Sequence, residues 1–275
     1  MNRLSMDKKV AVISALCEGC SVRSTSRLTG VAKGTILRLL AEVGAACAAY
    51  QNRVLRNIRA QRVQVDEIWS FVGAKQKNVT AEMAESRICG DVWTFVAIEA
   101  HAKLVISWLV GRRDAGCATD FLRDVESRLA NPIQLTTDGH KMYLSAVPDA
   151  FAFVDIDYAQ LVKIYGTSRD GEQRYSPPEV TSAIPHPVLG LPDVERICTS
   201  HVERQNLTMR MGIRRLTRLT NAFSKKWENL KAALALWFAF YNFCRSHKSI
   251  RMTPAMSAGI TDHIWSISEL LEAVA

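Results

Sequence analysis

The chain of 275 residues is 48% hydrophobic, which is enough to bury a core in one large domain accompanied by a smaller one. No apolar run reaches the roughly 18 residues of a membrane span, and the charged N-terminus lacks the apolar core of a signal peptide, so we expect a cytoplasmic protein with no membrane partner. The net charge is +8, and seven cysteines without a repeated metal-ligand spacing argue against a disulfide framework and a structural zinc site.

Residues 1–50 are predicted to form a small domain of three helices. Apolar residues recur at helical spacing over Val10–Cys17, Ser21 can N-cap a second helix, and Thr29-Gly30 makes a turn before a third. The pattern fits a helix-turn-helix DNA-binding domain and a plain three-helix bundle equally well. In a helix-turn-helix, three residues near the start of the third helix face DNA: Lys33, Thr35 and Arg38.

Residues 51–62 read as a basic connector. Arginines recur there at three-residue intervals, beginning with Arg53 and Arg56, and residues 1–62 contain eleven Lys or Arg against three Asp or Glu. The segment is either a connector that lies along DNA or a solvated linker.

Residues 63–275 have the pattern of an α/β domain. Strands are predicted over 63–72, 92–98, 104–110, 133–137 and 151–156, and helices over 117–129, 143–147, 199–213 and 227–243. Three strands, helix, strand, helix, strand is the order of an RNase H-like fold, whose mixed sheet is flanked by helices. Five prolines within 166–195 predict a long irregular insertion.

Three acidic residues are the candidate catalytic and metal-binding groups. Asp66 lies within an apolar strand, on the opposite face from Glu67, so only one of these two acids is expected at a given site. Asp138 ends a strand before a glycine, and Glu203 is the one acid among seven Lys or Arg in residues 200–226. Such oxygen ligands suit Mg²⁺ or Mn²⁺, and two ions about 4 Å apart would support an in-line displacement at phosphorus.

Several segments resemble the bacterial insertion sequence 1 family of transposases. They are Asp66–Phe71, Leu135–Tyr143, Tyr158–Lys163, Thr199–Met211, Arg215–Lys226, Tyr241–Phe243 and Thr253–Met256. The resemblance implies a DDE catalytic domain, magnesium dependence and a DNA-binding module. It places Asp66, Asp138 and Glu203 on the family's acidic positions, and His201, Arg204 and Asn206 on polar positions beside its glutamate.

The chain departs from this family at two points. It lacks the paired CxxC motifs of members with an N-terminal zinc finger, so recognition of the element's ends rests on the helix-turn-helix alone. His201 stands where related chains often have tyrosine, and surface hydrogen bonding is its expected role.

We therefore expect a DNA transposase that binds the terminal inverted repeats of its insertion sequence, cleaves a strand and joins it to target DNA. Its partners would be double-stranded DNA and further copies of the chain, as a homodimer or a higher oligomer. The alternatives are a transposase-derived DNA-binding protein without catalysis and an RNase H-like nuclease without a joining step. Five further arginines are expected to contact DNA: Arg204, Arg210, Arg214, Arg215 and Arg218.

Overall fold

A computed structural model describes residues 4–86, 88–166, 180–218 and 220–275. Within these ranges the chain forms α-helices on both sides of one mixed β-sheet. The helices are α1 (Met6–Cys17), α2 (Val22–Thr29), α3 (Lys33–Val54), α4 (Ala81–Ser86), α5 (Ala115–Glu126), α6 (Met142–Ala150), α7 (Ser200–Gly212), α8 (Trp227–Ala239), α9 (Pro254–Ser257) and α10 (Ile267–Ala273). The strands are β1 (Arg62–Val72), β2 (Gly90–Glu99), β3 (Val105–Gly111), β4 (Ile133–Asp138), β5 (Ile156–Tyr165) and β6 (Val180–Leu189).

The sheet has the strand order β3-β2-β1-β4-β5-β6. The first three strands form an antiparallel meander, β4 and β5 run parallel to β1, and β6 returns antiparallel to β5. Helix α5 connects β3 to β4, and α6 connects β4 to β5. The predicted order of three strands, helix, strand, helix, strand is therefore observed except for the short helix α4 between β1 and β2, and the sheet is mixed as expected.

Helices cover both faces of the sheet, because β1 and β2 present apolar side chains to each side. On one face, Phe121 of α5 and Tyr143 of α6 pack against Val63 and Val65 of β1. On the other face, α7 and α8 cover Ile68 of β1. No helix in the described ranges is both long and apolar enough to cross a membrane.

Helix α8 is buried on two sides, which explains its almost uniformly apolar sequence. Trp237 and Phe238 pack toward the sheet, while Ala232 and Leu236 pack against α1 and α3. The N-terminal helices therefore share a hydrophobic core with the rest of the chain. Helix α3 ends at Val54, so the predicted basic connector overlaps the end of this helix and the beginning of β1.

The crossing of α3 and α8 depends on Gly44. A Cβ at this position would lie 2.5 Å from the carbonyl oxygen of Ala232 and 2.6 Å from its Cα, and backbone atoms cannot move aside cheaply. We expect Gly44→Ala to lower the free energy of unfolding by about 1–3 kcal/mol, because overpacking outweighs the gain in helix propensity. Gly34 of the same helix has no atom within 4 Å of its Cβ position, so Gly34→Ala should raise stability by up to about 1 kcal/mol. Urea unfolding of both variants tests the pair, and equal effects would contradict this packing.

Two predictions of secondary structure are wrong. The apolar stretch 151–156 is not a strand: Phe151 ends α6 and packs into the core, Phe153 is fully exposed, and β5 begins only at Ile156. The prediction of an irregular 166–195 insertion is wrong for β6, while residues 167–179 lie outside the described ranges. Strand β6 is exposed along most of its length, so its sequence lacks the alternation of a half-buried strand. Its prolines are tolerated because it lies at the edge of the sheet.

Candidate catalytic site

Asp66 lies in the middle of β1, on the face covered by α7 and α8. On this face Gln64 accepts backbone hydrogen bonds from His201 and Val202 of α7. The carboxylate of Asp66 has two partners: Oδ1 accepts the backbone N–H of Glu67 at 2.9 Å, and Oδ2 accepts the side-chain amide of Asn206 at 2.8 Å. Helix α7 therefore orients the Asp66 carboxylate directly.

Asp138 is the last residue of β4. The pairing of β4 with β1 ends at Val65 and Thr137, while on its other side Asp138 still pairs with Leu161 of β5. Its Oδ1 accepts the backbone N–H of His140 at 3.1 Å in the turn that follows. The carboxylate therefore lies where β1 loses its parallel neighbour, at the level of Asp66.

Asp66, Glu67 and Asp138 form an acidic cluster, in which one carboxylate oxygen of each residue lies within 4.8 Å of the other two. The prediction that only one of Asp66 and Glu67 reaches the site is wrong. Their side chains do leave opposite faces of β1, but β4 ends at this level. The longer Glu67 side chain can therefore approach Asp138 beside the end of the strand.

The charges in this cluster repel one another. Burial raises the pKa of Asp66 to about 7, and repulsion by Glu67, Asp138 and Glu203 adds to that effect. Burial and the charge of Asp138 also raise the pKa of Glu67, although Tyr143 and Arg113 oppose the change. A divalent cation would relieve this repulsion, and carboxylate oxygens are the ligands that Mg²⁺ and Mn²⁺ prefer. The donor set therefore fits such an ion.

Arg113 and Tyr143 hold Glu67 in place. Arg113 Nε contacts Glu67 Oε1 at 2.5 Å, and the Tyr143 hydroxyl donates to Glu67 Oε2 at 2.7 Å. Arg113 Nη2 also lies 3.7 Å from Asp138 Oδ2, and its guanidinium carbon lies 4.5 Å from the ring centre of Trp93. Because both of its oxygens accept hydrogen bonds from the protein, we interpret Glu67 as a group that positions Arg113 beside Asp138.

The pairing of Glu67 with Arg113 predicts a strong coupling in stability. Removing the Arg113 guanidinium leaves the buried Glu67 carboxylate without a compensating charge, so Arg113→Met should lower the free energy of unfolding by about 2–3 kcal/mol. The loss should be smaller than for a fully buried pair, because the Arg113 side chain is 33% exposed. Adding Glu67→Gln should recover most of this loss, since a glutamine oxygen can still accept from Tyr143. A double-mutant cycle by urea unfolding in EDTA measures the coupling. Arg123→Met, which breaks an exposed pair with Asp149, is the control and should cost below about 0.5 kcal/mol. Additive losses at 67 and 113 would contradict the pairing.

Glu203 lies on α7, one helical turn before Asn206 and so on the same side of the helix. Its Oε1 is bound by the ammonium of Lys163 from β5 and by the hydroxyl of Thr199. Glu203 is therefore not a member of the acidic cluster, although its charge contributes to the raised pKa of Asp66. The structure brings Asp66 and Asp138 together and holds Glu203 nearby on the neighbouring helix.

The residues predicted to bind DNA fall into exposed and internally bonded groups. Arg210 donates to the backbone carbonyls of Trp69 and Leu216, and Arg215 donates to Ser224. Burial lowers the pKa of Arg210 to about 10 and also lowers that of Arg215. These two arginines therefore stabilise the segment that follows α7. Of the remaining candidates, Thr35 is half-buried and the others are exposed or bonded near the surface: Lys33, Arg38, Arg53, Arg56, Arg204, Arg214 and Arg218.

Sequence reasoning missed four polar residues of the site: Glu67, Arg113, Tyr143 and Lys163. Tyr143 and Lys163 both lie in segments that carry the family resemblance, and Lys163 interrupts the run of apolar residues Leu161–Tyr165 at the end of β5. A charge within an apolar run was the available signal for Lys163. Arg113 lies just beyond the end of β3 and gave no comparable signal.

No protein-family model matches the chain, and no curated protein matches it. Among solved structures, a chain of the simian T-cell lymphotropic virus intasome in complex with PP2A regulatory subunit B56 gamma is 14% identical, with a TM-score of 0.41, covering 90% of this chain and 74% of that chain. The Mos1 transposase paired-end complex with the left transposon end is 12% identical, with a TM-score of 0.24. The match covers 57% of this chain and 59% of that chain. A pre-cleavage Mos1 transpososome is 11% identical, with a TM-score of 0.34. The match covers 100% of this chain and 78% of that chain.

Proposed function

We propose that the chain is a DDE-type DNA transposase of the kind that the resemblance to the insertion sequence 1 family implies, with an RNase H-like catalytic domain. The observation that carries this proposal is the convergence of Asp66 and Asp138 where the parallel pairing of β1 with β4 ends, with Glu203 held on the neighbouring helix. The strand order of the sheet also supports it, because β1 and β4 are adjacent central strands, which brings the two aspartates next to each other.

In this proposal Asp66, Asp138 and Glu203 bind Mg²⁺ or Mn²⁺, in a site for two ions. When bound, the metal supplies Lewis-acid activation of the attacking hydroxyl and stabilisation of the leaving oxygen at phosphorus. The protein's own residues orient the ligands: Asn206 holds Asp66, and Lys163 holds Glu203. Arg113 lies beside Asp138 and provides positive charge for a DNA phosphate.

The DNA partner is double-stranded and includes the terminal inverted repeats of the element and the target. Residues 200–226 carry seven Lys or Arg and one acid, so the segment around Glu203 would attract phosphates toward the acidic cluster. Lys33 and Arg38 are exposed at the N-terminal half of α3, which we propose to be the recognition helix of a helix-turn-helix. Joining two ends requires at least two active sites, so we propose a homodimer or a higher oligomer on DNA.

The test is cleavage and strand transfer by the full chain on linear DNA that carries the flanking ends of its own gene. We expect 3′-hydroxyl ends and joined products in Mg²⁺ or Mn²⁺, and neither product in EDTA. Cleavage without joined products would indicate an RNase H-like nuclease. Specific binding of the ends without any cleavage would indicate a transposase-derived DNA-binding protein.

A further inference from the structure

A cleft of about 880 Å³ separates the N-terminal helices from the segment that follows α7. One wall comes from the end of α1 and the beginnings of α2 and α3. The opposite wall comes from residues 213–215, 221–223 and 225 and from the middle of α8. The acidic cluster does not contribute to its lining, so the cleft is separate from the candidate catalytic site.

The cleft is positively charged at its rim. Five basic residues line it, and no acidic side chain occurs among the described residues of its walls. Both sides contribute, because Arg23 and Lys33 come from the N-terminal helices while Arg214, Arg215 and Lys225 come from the opposite wall. Such a rim would attract an anionic group.

Two buried donors that line the cleft lack a hydrogen-bond partner. The indole Nε1 of Trp237, a residue only 2% exposed, has no acceptor, and neither has Nη2 of Arg215. Buried donors are nearly always satisfied, so two unpartnered donors in residues of the lining favour a ligand that carries acceptor atoms. Gly212 allows the indole its position, because a Cβ there would lie 2.6 Å from Trp237 Nε1.

The inner surface of the cleft is apolar. Leu37 and Leu40 of α3 face Ala233 and Leu236 of α8, with Phe223 contributing an aromatic ring. A phosphate group alone would leave this surface uncovered. A nucleotide joins a flat, largely apolar base that carries hydrogen-bond acceptors to an anionic phosphate, and the cleft lies within the size range of small-molecule sites.

We propose that this cleft binds a single unstacked nucleotide of the DNA substrate, with its base against the apolar surface and its phosphate at the basic rim. The proposal rests on the proposed function, because it takes DNA as the substrate. The free energy needed to unstack a base is lowest where the base is unpaired or mismatched, so the site would favour DNA that is already distorted. Its role would be to hold a strand that has left the duplex near an element end.

The experiment uses the full chain in EDTA, so that binding is measured apart from cleavage. In the ¹⁵N-labelled protein, the indole signal of Trp237, identified with Trp237→Phe, should shift on addition of thymidine 5′-monophosphate and much less with inorganic phosphate. A duplex with one unpaired thymidine should bind about tenfold more tightly than the fully paired duplex. The preference should be lost in Ala233→Trp, which fills the cleft, and in Lys33→Gln combined with Arg214→Gln, both at exposed positions.

Lys77→Gln combined with Lys248→Gln removes the same charge at exposed positions outside the cleft and should keep the preference. An unmoved Trp237 signal, or equal shifts with phosphate alone, would overturn the proposal. Binding of the free nucleotide without a preference for the unpaired duplex would assign the cleft to a free nucleotide and overturn the DNA proposal. Loss of metal-dependent cleavage with this preference retained would refute only the proposed function.

Discussion

We expect Asp66→Asn to lose metal-dependent DNA cleavage by about 10²- to 10³-fold or more, while its affinity for DNA in EDTA stays within about twofold of wild type. The amide removes the negative charge that binds the metal but keeps the size of the side chain. Metal activation is worth several kcal/mol of transition-state stabilisation, and each factor of ten corresponds to about 1.4 kcal/mol. The retained affinity follows because the basic residues that attract phosphates lie elsewhere, on α3 and after α7.

The same assay separates the ligands from their supporting residues. Asp138→Asn and Glu203→Gln should lose both cleavage and strand transfer like Asp66→Asn. Glu67→Gln should retain far more activity, because Glu67 acts through Arg113 and the protein binds both of its oxygens. Asp120→Asn removes an exposed carboxylate on α5 and should match wild type. Cleavage that survives Asp66→Asn, or a greater loss from Glu67→Gln than from Glu203→Gln, would refute the proposed set of ligands.

Sequence patterns predicted the central elements of the fold because each of these has a characteristic burial. The apolar side chains alternate or run continuously in strands β1, β2 and β4, because each of these strands is buried on one face or on both. The sequence of helix α8 is apolar almost all round, and the structure gives the reason: the helix packs between the sheet and α3. Strand β6 could not be predicted in this way, since both of its faces are exposed and its backbone pairing with β5 is what defines it.

The candidate site could likewise be predicted only in part from the sequence. Asp66 could be found because a carboxylate in an apolar strand requires a partner, and Asp138 could be found through the family resemblance. The contact between Glu67 and Arg113 could not, because it depends on the register of three strands. Trp69 pairs with Trp93, and Trp93 pairs with Gly111. The position of Arg113 relative to Glu67 of β1 therefore depends on two antiparallel strand pairings. The partners are 46 residues apart, and no local pattern encodes that register.

We also expect the metal-free protein to lose stability as the pH rises from about 4 to 7. Burial and neighbouring carboxylates raise the pKa of Asp66 from 3.8 to about 7 in the folded chain. Between these values the unfolded chain has released the proton while the folded chain retains it, so a rise in pH favours unfolding. A difference of about three pKa units corresponds to at most about 4 kcal/mol, present below pH 4 and lost by pH 7.

Urea unfolding of wild type and Asp66→Asn in EDTA isolates this contribution, because asparagine resembles the protonated aspartate at every pH. The two proteins should be nearly equal at pH 4, and Asp66→Asn should be the more stable by up to about 4 kcal/mol at pH 8. Mg²⁺ at pH 8 should stabilise wild type, since an ion that binds only the folded state shifts the equilibrium toward it, and should stabilise the variant much less. The exposed control Asp120→Asn should follow wild type throughout. A constant difference between wild type and Asp66→Asn from pH 4 to 8 would mean that neither burial nor the neighbouring carboxylates raise the pKa of Asp66. A metal site at Asp66 would then have lost its electrostatic basis.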